Sequence, residues 1–221
     1  MDNNNYMAQI YDFLQRLAAN NDRDWFHANK AEFDELRAMW VADIQKLIDR
    51  MADYDDELRG VNAKDCVYRI YRDTRFSANK LPYKTHFAAV LARAGRKSLK
   101  SCYYIHFEPG NSGLHGGIWC PESALLNRLR HEIDDNIEEF LGIVESDDFK
   151  NRYTFESDTL KMMPKGFPKD LPHAKYIKMK EYLVTVSKPD SYFTRGNWVD
   201  KAANDFKAMK PMHDFLNYVF D

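Results

Sequence analysis

Cysteine is scarce in this chain of 221 residues, and the three present, Cys66, Cys102 and Cys120, are odd in number and share no C-x-x-C spacing. That pattern argues against a disulfide framework and against a structural zinc site. An excess of one charge is missing too: 32 lysines and arginines nearly balance 34 acids, for a formal net charge of -2. Overall charge therefore gives no reason to expect a nucleic-acid coat, although a local basic pocket stays open to such a partner. The first residues, Met1-Asp2-Asn3-Asn4-Asn5, lack the basic and apolar regions of a secretory signal, and no apolar run nears the ~18 residues of a membrane-spanning helix. A reducing cytoplasm and no membrane partner are the expectation. Glycine and proline, at 9 and 8 residues, form no linker, and no repeat or low-complexity segment divides the chain, which reads as one domain over residues 1–221. Also absent are a P-loop, a dinucleotide fingerprint, a nucleophile elbow and an H-E-x-x-H pair. Common enzyme classes drop out, and no cofactor can be named.

What is present is hydrophobic periodicity of two kinds. Ile10, Phe13, Leu14 and Leu17 recur at helical spacing over 6–19, and Asn20-Asn21 should end that helix. Asp22 can cap a second helix running from 23 to about 53, ~45 Å long at 1.5 Å per residue. The pattern then alternates, giving strands at about 66–71, 84–93, 101–108 and 113–119, with turn formers at Ala94-Gly95-Arg96 and Pro109-Gly110-Asn111. Pro121 should open a helix to about 145 with Cys120 in the capping position, where a half-buried, inert thiol is favoured over a reactive one. After an irregular stretch, a final strand at 182–187 precedes helical residues interrupted by Pro211. The expected fold is therefore α+β: a mostly antiparallel sheet of about five strands packed against long helices. A period of two puts Phe87, Ala89, Leu91, Tyr103, Ile105, Phe107, Leu114 and Ile118 on the face the helices cover. The other face would carry Lys84, His86, Tyr104, His106, Glu108, His115 and Trp119, and Arg69 would join it from the first strand. A slip of one residue or a bulge would scatter that set.

The most polar stretch, residues 69–84, holds Arg69, Arg72, Arg75, Lys80 and Lys84 against the single acid Asp73. Its pattern RxxRDxRF followed by NK and PYK resembles the signature of domain of unknown function 2461, a widespread and mostly bacterial family of uncharacterised proteins. Further stretches resemble that family too: Asn20-Asn21-Asp22-Arg23-Asp24-Trp25-Phe26 with Asn29-Lys30, Gly116-Gly117-Ile118-Trp119-Cys120-Pro121-Glu122, and Leu160-Lys161-Met162-Met163-Pro164-Lys165-Gly166-Phe167. The resemblance spans nearly the whole chain and implies no activity.

Converging guanidinium forks repel one another unless an anion lies between them. Arg69, Arg72 and Arg75 are thus candidate ligands for a phosphate or carboxylate, with Lys80, Lys84 and Lys165 as supporting charges and Tyr71, Phe76 or Tyr83 as stacking surfaces. Arg23 and Lys30 could reach toward the same loop. The alternative is a buried knot in which these cations pair with acids from elsewhere, such as Glu32, Asp34 or Glu108. If there is catalysis, His86 or His106 would move the proton, with His115 a further candidate and Asp73 or Glu108 as the carboxylate partner. The three histidines with Glu108 form a mixed nitrogen and oxygen set that could hold a divalent metal. Lone histidines are more often structural, so no metal ligand is assigned. Three functions stay open: a small enzyme acting on an anionic metabolite, a non-catalytic module for a nucleotide or single-stranded nucleic acid, and a protein-interaction module whose arginine loop is structural.

Overall fold

The computed structural model describes residues 5–220. Helix α1 (Asn5–Ala19) leads through Asn20 and Asn21 into α2 (Arg23–Ala28), whose first turn is capped by Asp22 accepting the Trp25 amide at 2.9 Å. The continuous helix expected from 23 to 53 is broken once, because Asn29 adopts φ -107°, ψ 13° before α3 (Lys30–Met51) begins. The Asn29 side-chain amide donates to the Trp25 carbonyl at 2.8 Å, a short polar group competing with the helical ladder. The same chemistry breaks the helix expected over 121–145 into α5 (Ser123–Asp135) and α6 (Ile137–Val144): Asn136 donates to the Glu132 carbonyl at 3.3 Å and leaves the helical region. Helix α5 starts two residues after Pro121, so Cys120 is not its cap.

Three of the four expected central strands form, as β1 (Phe87–Leu91), β2 (Cys102–Phe107) and β3 (Ser112–Ile118). The first does not. Residues 63–66 make the short helix α4 (Ala63–Cys66), and 67–72 then run extended beside 82–89 with only isolated bridges, Val67 to Ala89 and Tyr71 to Tyr83. Between those bridges one side advances four residues and the other six. The surplus around Thr85 and His86 is a bulge, and it keeps a regular ladder from forming.

Helix α7 (Asp147–Arg152) and the two-residue strand β4 (Thr154–Phe155) occupy part of the region expected to be irregular, followed by α8 (Ala174–Ile177). Strand β5 (Tyr182–Lys188) inserts between β3 and β4, giving a five-stranded antiparallel sheet of order β1-β2-β3-β5-β4. Helices α9 (Asp190–Thr194), α10 (Trp198–Lys207) and α11 (Lys210–Asn217) close the chain, with Pro211 in the first turn of α11 as its missing amide allows. The domain is α+β.

All eight residues assigned to the apolar face are buried. Trp40 of α3 meets Phe87 at 5.9 Å, Phe107 at 5.5 Å and Trp198 of α10 at 5.6 Å between ring centroids. Against the other end of β2, Tyr103 stacks on His213 of α11 at 4.0 Å. Close approach of β3 to its neighbours requires its glycines: a Cβ on Gly116 would meet His213 Nε2 at 2.5 Å, and one on Gly117, at φ +131°, would lie 1.9 Å from the Tyr182 carbonyl oxygen.

His213 Nδ1 lies 3.0 Å from Ser101 Oγ, and the ring is otherwise enclosed. Burial pushes its pKa down to about 3, so the imidazole is held neutral in the core. Because the unfolded chain takes up this proton near pH 6.5 and the folded chain resists it, stability falls as pH drops through the interval from 6.5 to about 3. The slope is about 1.4 kcal/mol per pH unit. Urea unfolding across pH 7 to 4 should show this slope reduced by one proton's worth in His213→Gln; an identical slope in both proteins would contradict it.

Candidate functional site

The polar face of the sheet assembles as the period of two requires. Tyr104 and His115 are direct cross-strand partners, with ring centroids 5.4 Å apart, and the His86 ring lies 4.4 Å from that of His106. The bulge ahead of β1 does not scatter the set, because it ends before Phe87 and the alternation resumes. His106 is held on both sides: Nδ1 is 2.9 Å from the Tyr104 hydroxyl and Nε2 is 3.2 Å from Glu108 Oε2. Glu108 is itself fixed, accepting from Thr85 Oγ1 at 2.7 Å and Asn111 Nδ2 at 3.0 Å. Although burial works to raise the Glu108 pKa, these donors and His106 outweigh it and keep the carboxyl below its usual range. The carboxylate partner of His106 is therefore Glu108. Asp73 is spent elsewhere, on Arg75, and stands exposed in its own loop.

Burial pushes the His86 pKa down to about 4, reinforced by His106, Lys84 and Arg72 and opposed by Glu108. Burial lowers His115 as well, against the pull of Glu156, whose carboxylate is 3.5 Å from Nδ1. Both rings are thus neutral at pH 7, with a lone pair available for a proton or a ligand. Among the described residues, His86, His106 and Glu108 bring one ligand atom each within 4.8 Å of one another, and His115 stays outside that group.

The cations divide into two groups. Lys84 is partly buried, lies 4.8 Å from the centre of the Tyr68 ring, and is pushed to a lower pKa by burial and by Arg69 and Arg96. Among the described residues, Lys84, Arg69 and Arg72 make no ion pair. The second group is the loop tip. There Arg75 grips Asp73 through Nε and Nη2 at 3.0 and 2.7 Å, and these bonds hold the Asp73 carboxyl down at about 2. Lys80 donates to the Thr74 carbonyl at 2.9 Å, tying the loop to itself. The buried knot with Glu32, Asp34 and Glu108 does not form: Glu32 pairs with Arg16, Asp34 with Lys30 and Glu108 with His106. Lys30 is thereby used on its own helix, while Arg23 lines an open cleft of about 670 Å³ with Asn21, Thr74, Asn79 and Lys80.

Tyr83 is no stacking surface, because its ring is buried and stacked on Phe26 at 4.1 Å, while Asn21 brackets its backbone with two bonds of 3.1 Å. Lys165 is exposed in a loop anchored by Phe167 on His131 of α5, and among the described residues no hydrogen bond or ion pair joins it to residues 69–84. Cys120 is exposed at φ +47°. Reduced hydration and the Glu181 carboxylate, which accepts the Cys120 amide at 3.0 Å, raise its thiol pKa, so a reactive thiolate is not formed there. Sequence reasoning missed Arg96, which reaches the Val67 carbonyl at 2.5 Å, and Tyr68, which lies 6.3 Å from Tyr104. No local signal marks Arg96, since its partner is a backbone carbonyl far along the chain. Thr85 and Asn111 were missed as well, although both stand beside residues already assigned to the polar face.

A family model described as a conserved hypothetical protein, DUF2461, matches residues 9–215. The chain belongs to the DUF2461 family. No curated protein and no solved structure matches it. All but a few residues at each end lie within the DUF2461 match, and the polar face and the 69–84 loop are inside it. Among the described residues, no helix is long and apolar enough to cross a membrane. The exposed Arg75–Asp73 pair predicts a small structural role. Arg75→Ala should leave the melting temperature within about 2 °C of the parent, since solvated pairs contribute little. A drop well beyond that would restore the structural knot.

Proposed function

We propose that this DUF2461 protein binds a small anion bearing phosphate or carboxylate on the polar face of the sheet, at the strip formed by Arg69, Arg72 and Lys84 beside His86. One observation carries the reading: Lys84 is partly buried among other cations, and among the described residues no carboxylate pairs with it. Like charges gathered out of bulk water repel, and an anion between them relieves the repulsion. His106, hydrogen-bonded to Glu108, stands beside this strip as a group able to exchange a proton with a bound molecule. The three free thiols suit a reducing cytoplasm, where phosphorylated and carboxylated metabolites are found.

Thermal shift with inorganic phosphate, pyrophosphate and citrate, each in EDTA, tests the reading. A ligand at a hundred times its dissociation constant adds ~2.7 kcal/mol, a rise of roughly 5 to 10 °C for a chain of this size. Lys84→Ala should abolish the rise while leaving the unliganded protein as stable or more stable, since a repelled charge is removed. No shift with any of the three anions, or an undiminished shift in Lys84→Ala, would sink the proposal.

A second reading rests on Phe76, which is 95% exposed with the Arg75 guanidinium 5.8 Å from its ring centre. An aromatic ring held in solvent beside cations can stack on a nucleobase, an interaction of about 1–3 kcal/mol. Fluorescence anisotropy with a labelled oligonucleotide should then show roughly tenfold weaker binding, or worse, in Phe76→Ala. Absence of binding to the parent chain ends this reading.

A further inference from the structure

We infer that His86, His106 and Glu108 form a binding site for one divalent first-row transition-metal ion such as Zn²⁺, with open coordination positions facing the cationic strip. Two imidazoles and one carboxylate are the mixed nitrogen and oxygen set that such ions take in sites that keep a position open. Their ligand atoms already lie within 4.8 Å of one another, on a face that is half-buried but reachable from solvent. For bonds of about 2.0–2.2 Å, the edge of a coordination tetrahedron is ~3.4 Å. His106 Nε2 and Glu108 Oε2 are separated by 3.2 Å, so this pair needs almost no movement to share an ion. His86 belongs to the two-residue bulge and lies outside the regular ladder, which leaves it free to close the remaining distance.

The surroundings support the ligands as metal sites require. With Nε2 on the ion, the His106 Nδ1 proton is directed at the Tyr104 oxygen, 2.9 Å away, which fixes the tautomer and the ring plane. Glu108 is oriented by Thr85 and Asn111 through hydrogen bonds that need not break. Burial keeps His86 neutral, the form that binds metal. His115 is turned instead to Glu156 and remains a spectator.

The adjacent Lys84 and Arg72 would repel a bare cation, so the open positions should carry an anionic ligand that the two side chains also contact. That last point rests on the proposed function; the three-ligand site does not.

The test uses the full chain, stripped with EDTA and dialysed into phosphate-free buffer. Titration with Zn²⁺ should give one equivalent of saturable binding. X-ray absorption of the loaded protein should report two imidazoles with oxygen and no sulfur. His86→Ala and Glu108→Gln should each weaken Zn²⁺ at least a hundredfold, Thr85→Ala about tenfold by releasing the carboxylate, and His115→Ala not at all. Circular dichroism checks that each variant is folded, and the absorption spectrum of the parent decides the matter if a variant is not. No saturable binding, sulfur ligation, or affinity unchanged in folded His86→Ala overturns the site. Because the anion titration is run in EDTA and this one without phosphate, either proposal can fail without the other.

Discussion

Packing of Trp40 against Phe87, Phe107 and Trp198 decides which side of the sheet is left for chemistry. A side chain of that size, wholly removed from water, contributes about 3 kcal/mol, and Tyr103, Ile105 and Leu114 extend the same interface along the middle strands. Since successive residues of a strand face opposite ways, fixing Phe107 inward fixes His106 outward. The polar cluster is thus a by-product of where the core is, and a shift of one residue in β2 would bury His106 and expose Phe107 together.

Electrostatics on that outer face are uneven. Glu108 is held by several donors and serves one histidine, while among the described residues Arg69, Arg72 and Lys84 make no ion pair. Elsewhere several cations pair with acids at the surface, as Arg16 does with Asp12 and Glu32 and Lys30 with Asp34. Solvated pairs of that kind add little stability, but they show that this chain has acids to spend on its cations. Lys84 combines partial burial with neighbouring cations and, among the described residues, has no acid paired with it.

Much of this was legible in the residues alone because burial imposes a period. The alternation of Phe87, Ala89 and Leu91, then Tyr103, Ile105 and Phe107, set both faces of the sheet and so placed His86, His106 and His115 on one of them. Asparagine was harder to read. Asn20 ends α1 where expected, yet Asn29 and Asn136, with the same back-bond to a carbonyl four residues earlier, interrupt helices whose apolar stripes run on past the break. Periodicity reports what is buried and not whether each turn is helical. The arginine loop misled in a different way: spacing put Arg69, Arg72 and Arg75 together, but the loop's own Asp73 draws Arg75 off, and Tyr83 is claimed by the core. Arg96 could not be found at all, since it is joined to Val67 only by the fold.

The mismatch between 67–71 and 83–89 also bears on how the molecule keeps to itself. An outermost strand with free amides and carbonyls is a template on which another chain can grow. Strand β4, at one edge, is two residues long and offers almost nothing to extend. Strand β1, at the other edge, lies under the segment 67–72, which borrows its outward groups at Tyr68 and holds them out of step farther along. Neither border presents a straight run of open hydrogen-bonding groups, so the sheet resists edge-to-edge aggregation without needing a proline or a lysine in either outer strand.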